Sequence, residues 1–331
     1  MRRFFGLRAA SFGLALLLVA SVATFGKGPA FTDPAKADAD FAFQGEYVGE
    51  VPSDGGKQKI GAQVIALGGG KFHAVGYHGG LPGDGWNGEK KVEVDGELID
   101  GAVVFKVDDV RSTLKNGSII VTDANNTKVA ELTKTERRSP TLGRAAPAGA
   151  VVLFDGKNAD AWQNGKVDEG LLVQGTTSKQ TFGSHKLHLE FRIPYQPEDR
   201  GQGRGNSGLY LQGRYEVQML DSFGLEGKDN ECGGIYSVAK PSVNMCLPPL
   251  SWQTYDVDYT AAKFDAAGKL TVNPRVTVSH NGVVIHKDVE LPGERNTTAA
   301  PVAAGKEPGP VYLQDHGNPV RYRNIWVVET K

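Results

Sequence analysis

Glycine-containing turn pairs recur along this chain too often for a long helix to fit between them. Asp95-Gly96, Asp100-Gly101, Asn116-Gly117 and the Asn281-Gly282 pair within His280–Val283 are hairpin signals. Asn, Asp and Gly tolerate the left-handed backbone that two-residue hairpin turns require. Between such pairs run short β-branched stretches, among them VEVDGELIDGAVVFKV and STLKNGSIIVTD. No stretch sustains a helical period, and 43 glycines suit many tight turns. The chain reads as all-β.

At 331 residues the chain exceeds one ordinary domain. Phe41–Arg138 reads as a small antiparallel β domain, Ser139–Ala150 (SPTLGRAAPAGA) as a linker, and Val151–Lys331 as a second β domain of about a dozen strands, a two-sheet jelly-roll sandwich. A net charge of −1 offers nucleic acid or an anionic membrane no electrostatic footprint. Arg2, Arg3 and Arg8 precede the apolar run Phe12–Ala23, which ends in a small-x-small site. That run is too short to span a bilayer, so residues 1–23 read as a signal peptide. An exported, periplasmic or secreted protein with no membrane span after cleavage is expected. The Ala/Asp-rich stretch to Asp40 reads as disordered. Cys232 and Cys246 are the two cysteines, and in an oxidising compartment they are expected to form a disulfide.

Strand alternation gives the second domain several chemically capable faces. His188, Glu190 and Arg192 share one side of HLEFR, and Glu216 and Gln218 share one side of YEVQML, with Asp221 at its end. Tyr312, Gln314 and His316 alternate in VYLQDHG, while Arg321 and Arg323 oppose Tyr322, Asn324 and Trp326. Each face alone reads as a solvated surface. Together their amides, imidazoles, guanidinia and carboxylates suit a ligand rich in hydroxyls. Tyr236 and Trp252 are candidates for the flat apolar contacts that sugar rings use. There is no GxSxG elbow, HExxH, Walker loop or Rossmann fingerprint, which argues against a nucleotide cofactor.

The stretches LFDGKN (Leu153–Asn158), LHLEFRIP (Leu187–Pro194), GRGNSGLYLQGRYEVQMLDSFG (Gly203–Gly224), NECGGIY (Asn230–Tyr236), PPLSWQTYDV (Pro248–Val257) and YLQDHGNPVRYRNIWV (Tyr312–Val327) follow in order. In these the chain from about Val151 resembles the 3-keto-disaccharide hydrolase domain family. The resemblance implies a concanavalin A/laminin G-like jelly roll acting on 3-keto-glycosides by C2 proton abstraction, β-elimination and hydration. It makes Glu216, Glu190, His316 and Asp221 the candidates for proton transfer. Arg204, Asn206, Gln218, Tyr236, Trp252, Gln314 and Arg323 become the candidates for substrate binding. A divalent ion held by Glu216 and His316 is an option, base against metal ligand being open for Glu216. A non-catalytic lectin is the alternative, and a structural envelope protein a more distant one.

Overall fold

The computed structural model describes residues 28–53 and 55–330; the signal-peptide expectation lies outside them. Eight consecutive antiparallel strands close into a barrel: β1 (Gly45–Ser53), β2 (Gly56–Gly68), β3 (Lys71–His78), β4 (Val92–Ile99), β5 (Ala102–Val107), β6 (Val110–Lys115), β7 (Ser118–Thr122) and β8 (Lys128–Thr135). Closure pairs β1 with β8, so the sheet has no free edge. Asp100-Gly101 and Asn116-Gly117 make the tight turns expected of them, all four residues at positive φ. Asp95-Gly96 does not turn. It lies within β4, where the absent side chain makes room for the Phe105 ring of β5.

The second half is a sandwich. Its smaller sheet runs in the order Trp162–Gln163, Thr176–Phe182, Gly309–Leu313, Ser207–Leu211, Tyr215–Met219. The larger sheet centres on Arg321–Glu329, His185–Arg192, Trp252–Thr260 and Arg275–His280, all antiparallel. Leu187, Leu189, Phe191, Tyr255 and Val257 of the large sheet meet Leu209, Val217, Met219, Val311 and Leu313 of the small one in a shared core. Alternation therefore turns Glu216, Gln218 and Gln314 outward from one sheet, and His188 and Glu190 outward from the other.

Barrel and sandwich are packed together. Ile65, Val75 and Tyr77 of the barrel's outer wall, with Leu81 of the β3–β4 connection, join the sandwich core. Gly224 sits at φ 81°, and a Cβ there would stand 2.5 Å from Ile65 Cδ1. Conversely, Tyr195 leaves the sandwich to enter the barrel's own apolar cluster. The disorder expected to Asp40 is corrected for its described part: Phe31 pairs its backbone with Tyr195 in both directions, and the Phe31 and Phe41 rings lie against it. These aromatic anchors hold a stretch whose polar composition argued for disorder. The disulfide is also corrected. Cys232 and Cys246 are free, buried thiols, their sulfurs facing the Tyr255 hydroxyl and the Leu220 and Leu247 carbonyls.

Arg204 binds the two halves directly. Its Nε donates to Asp221 Oδ2 at 2.6 Å, and its Nη2 reaches the Ala66 carbonyl of β2 at 3.2 Å. Both side chains are buried. Arg204→Leu is expected to lower stability by about 3–5 kcal/mol, because it strands the Asp221 carboxylate without a counter-charge. Urea unfolding followed by tryptophan fluorescence measures this, and an unchanged midpoint would refute the anchoring role.

Candidate active site

The strands Ser207–Leu211 and Tyr215–Met219 form a hairpin whose register sets Tyr210 opposite Glu216 and Gly208 opposite Gln218. On the outer face the Glu216 carboxylate folds back over Gly208, where a Cβ would collide with Oε1. Only glycine leaves that space. The free edge of the Glu216 strand is covered by the Gly233–Tyr236 stretch, and Tyr236 N–H donates to the Glu216 carbonyl. The Val217–Ile235 bridge puts Tyr236 beside Glu216 on the same face. On the far side, Tyr312 lies opposite Tyr210 with ring centroids 5.3 Å apart.

A hydrogen-bond chain runs across this face. Gln314 Nε2 donates to the Tyr210 hydroxyl at 3.1 Å, and that hydroxyl lies 2.9 Å from both Glu216 Oε2 and the Thr298 carbonyl. A tyrosine has one proton for these two acceptors. Glu216 is 3% exposed, and burial pushes its carboxyl up to about 7, opposed only by the Tyr210 hydrogen bond. Two protonation states fit the same atoms. When Glu216 is ionised, Tyr210 donates to it. When Glu216 is neutral, its proton goes to the Tyr210 oxygen and Tyr210 turns its own toward Thr298.

Gln218, Asn206 and Gln202 flank Glu216. Gln202 Oε1 accepts from Gln218 Nε2 at 3.2 Å and from Asn206 Nδ2 at 3.0 Å. Asn206 Oδ1 is buried without a partner among the described residues. Half-buried Tyr236, Tyr312 and Gln314 complete the walls. Gln314 directly follows the strand Gly309–Leu313, and His316 stands two residues further on in an exposed bend. The groups beside the carboxylate are a hydroxyl, side-chain amides and the Thr298 carbonyl. Among the described residues no three His, Cys, Asp or Glu side chains gather.

The other sequence candidates lie elsewhere. Glu190 and Arg323 occupy the outer face of the opposite sheet. Glu190 accepts from Gly143 N–H (2.6 Å) and Asn324 Nδ2 (2.9 Å) on Oε1, and from Arg323 Nε (2.6 Å) on Oε2. Burial would raise its pKa, but hydrogen bonds led by His188, Asn324 and Gly143 bring it down to about 2. Such a carboxylate has no vacancy for a substrate proton. The alternation read for VRYRNIW also fails: Asn324 adopts φ 46° at a bulge, so Asn324 and Trp326 join Arg323 on the outer face. Residues 139–144 are no free linker. Ser139 and Thr141 bond to Thr254, and Thr141 and Arg144 to Asp256, strapping over His188.

Trp252 stacks under Arg323, 3.9 Å from ring centroid to guanidinium carbon. It borders a cavity of about 750 Å³ between barrel and sandwich. Two acids line that cavity: Glu46 is held by Arg137 and Gln63, and exposed Glu136 pairs with Arg138. Asp221 and Arg204 are spent on each other at the barrel contact. Of the sequence candidates, Glu216, Gln218, Tyr236, Asn206 and Gln314 thus come together.

Residues 149–328 match the family model of the 3-keto-alpha-glucoside-1,2-lyase-like domain. This chain belongs to that family. A crystal structure of a candidate glycosyl hydrolase from Parabacteroides distasonis is 35% identical, with TM-score 0.51 over 56% of this chain and 85% of that one. A second such protein from the same organism is 19% identical, with TM-score 0.41 over 55% and 95% of the two chains. No curated protein matches. Membership makes this a carbohydrate-active enzyme of hydrolase type with an all-β fold, and its matched region contains the Glu216 face whole. Tyr210 and Gln202 were not among the sequence candidates, and Tyr312 was read only as sharing a strand face with Gln314 and His316. Counting back from the Gln212-Gly213 turn pairs Tyr210 with Glu216, so that partner was readable. Gln202 and Thr298 arrive from loops that no local pattern brings there.

Two outcomes test this division. Tyr210→Phe removes the donor that favours ionised Glu216, so the Glu216 carboxyl should titrate above 7 in a carbon-13 NMR titration. Glu190→Gln should cost about 2 kcal/mol or more in urea unfolding. The Glu190 contribution is complete above the unfolded carboxyl's pKa near 4.5 and fades as pH falls toward 2, so wild type and variant should converge in acid.

Proposed function

We propose that this exported enzyme cleaves 3-keto-glycosides by elimination and hydration, with Glu216 as the base. The observation that carries the reading is a single buried carboxyl poised near neutrality and hydrogen-bonded to a hydroxyl that can reverse its direction. A general base works best with a pKa close to the working pH.

A ketone at C3 acidifies the proton on C2. Glu216 takes that proton, and the C2–H electron pair becomes an enolate onto the C3 oxygen. The enolate then collapses, forming the C1–C2 double bond and restoring the C3 carbonyl as the C1–O bond breaks. The aglycone leaves with a proton, for which protonated Glu216 is the nearest source. Water next adds its oxygen to C1 and a proton returns to C2, so the sum is hydrolysis of the glycoside. One carboxyl suffices, unlike the paired carboxylates of ordinary glycosidases. Asn206, Gln218 and Gln314 offer amides for the sugar hydroxyls and the enolate oxygen, with Tyr236 and Tyr312 as apolar walls. His316, at the rim, is the candidate to carry protons between this face and solvent.

Glu216→Gln is expected to lower kcat for release of aglycone from a 3-keto-glucoside by about 10²–10⁴-fold. Saturable binding of the sugar with no release by wild type, with or without chelator, would support a lectin instead. The pH dependence has a defined sign. The base must be ionised, so kcat/KM should rise through an apparent pKa near 7 and level off above it. Stability runs the other way. A carboxyl raised in the folded state contributes fully below its unfolded pKa and loses that contribution as pH rises through about 7. Glu216→Gln should therefore gain stability over wild type at pH 8 and little at pH 5, read as melting temperatures.

A further inference from the structure

The barrel is filled at one end and empty at the other. Toward the end that carries Phe43, its inward positions hold Tyr47, Phe72, Val103 and Leu114, and Phe43 meets Phe72 edge to face at 5.8 Å. Toward the opposite end the same strands turn in small residues: Gly49, Ala62, Ala74, Gly76 and Ser112. The change of size leaves a cavity of about 410 Å³, lined by residues of all eight strands. Eight-stranded barrels either fill their interior with side chains or hold one small ligand.

The lining decides which ligand. Ile60, Val94, Phe105, Ile119 and Leu132 make the wall hydrocarbon, with the Ser112 hydroxyl inside and His78 and Asp108 at the mouth. A sugar would lose its water there and find almost no hydrogen-bond partners, so this is no second carbohydrate site. Ordered water also needs several polar partners to remain in a cavity. The mouth is apolar as well, since Val92, Val107 and Val110 are 46%, 37% and 43% exposed. Beside it lies a polar recess of about 460 Å³, which shares His78 and Val92 with the cavity and adds Glu89, Lys90 and Lys91.

We infer that the barrel is a binding site for a single-tailed amphiphile, its apolar chain in the lumen and its polar head in the lysine-bearing recess. The cavity volume falls in the range of small-molecule sites. The lumen is separate from the Glu216 face, so this site stands whether or not the proposed reaction does.

The test titrates the full chain with N-phenyl-1-naphthylamine and displaces the probe with straight-chain carboxylates from hexanoate to tetradecanoate. One saturable site per chain is expected, with displacement tightening about fourfold per methylene until the lumen is full. Ala74→Phe, which plugs the lumen, should weaken probe binding at least tenfold. Gly76→Leu is the second variant, because a Cβ at Gly76 meets Val92 only at 3.6 Å and the fold should accept it. Dodecyl glucoside, with an uncharged head, should displace the probe less well than dodecanoate. Absence of a saturable site, displacement independent of chain length, or wild-type binding by either folded variant would overturn the proposal.

Discussion

A carboxylate removed from water must gather donors or surrender its charge, and three acids of the sandwich answer that demand differently. Glu190 gathers a backbone N–H, an amide and a guanidinium, and becomes a permanent anion that clamps residues 139–144 over the large sheet. Asp221 takes Arg204, which in turn holds the Ala66 carbonyl, and so fastens the barrel to the sandwich. Glu216 receives one shared hydroxyl and is left near neutrality. Two of the acids therefore hold the fold and one is available for chemistry. The difference lies in the number and charge of the donors, not in depth of burial.

The same logic separates the two faces of the sandwich. The large sheet's outer face is covered by the strap and by the stacked pair His188–Trp326, 5.2 Å between centroids. The small sheet's outer face keeps half-buried tyrosines and amides around one carboxyl. Asn206 Oδ1, buried and without a partner among the described residues, is the acceptor one expects in a site that awaits a hydroxyl. The barrel adds a second, apolar compartment, so a carbohydrate enzyme carries beside its polar face a chamber suited to hydrocarbon.

Much of the fold was legible. Turn pairs and two-residue alternation predict an all-β chain in two parts, and hairpins at Asp100-Gly101, Asn116-Gly117 and Asn281-Gly282 stand where expected. Asp95-Gly96 misled because a glycine needed for the Phe105 ring looks, locally, like a glycine needed for a turn. The thiols misled because compartment and spacing say nothing about whether two sulfurs are bonded in the core. The alternation in VRYRNIW broke at Asn324, since one residue at positive φ reverses the facing of everything after it.

Period-two patterning is a local property, and the sequence alone settled which side chains share a strand face: Glu216 with Gln218, Glu190 with His188. It also set the family, through motifs spread from Leu153 to Val327. Which faces share a site was decided only by the tertiary structure. The two sheets bury their apolar sides against each other, so polar faces that look alike in sequence end on opposite sides of one core. Which carboxylate stays proton-active was decided there too, because it depends on donors from Gly143, Arg204 and Arg323, groups far from their partners along the chain.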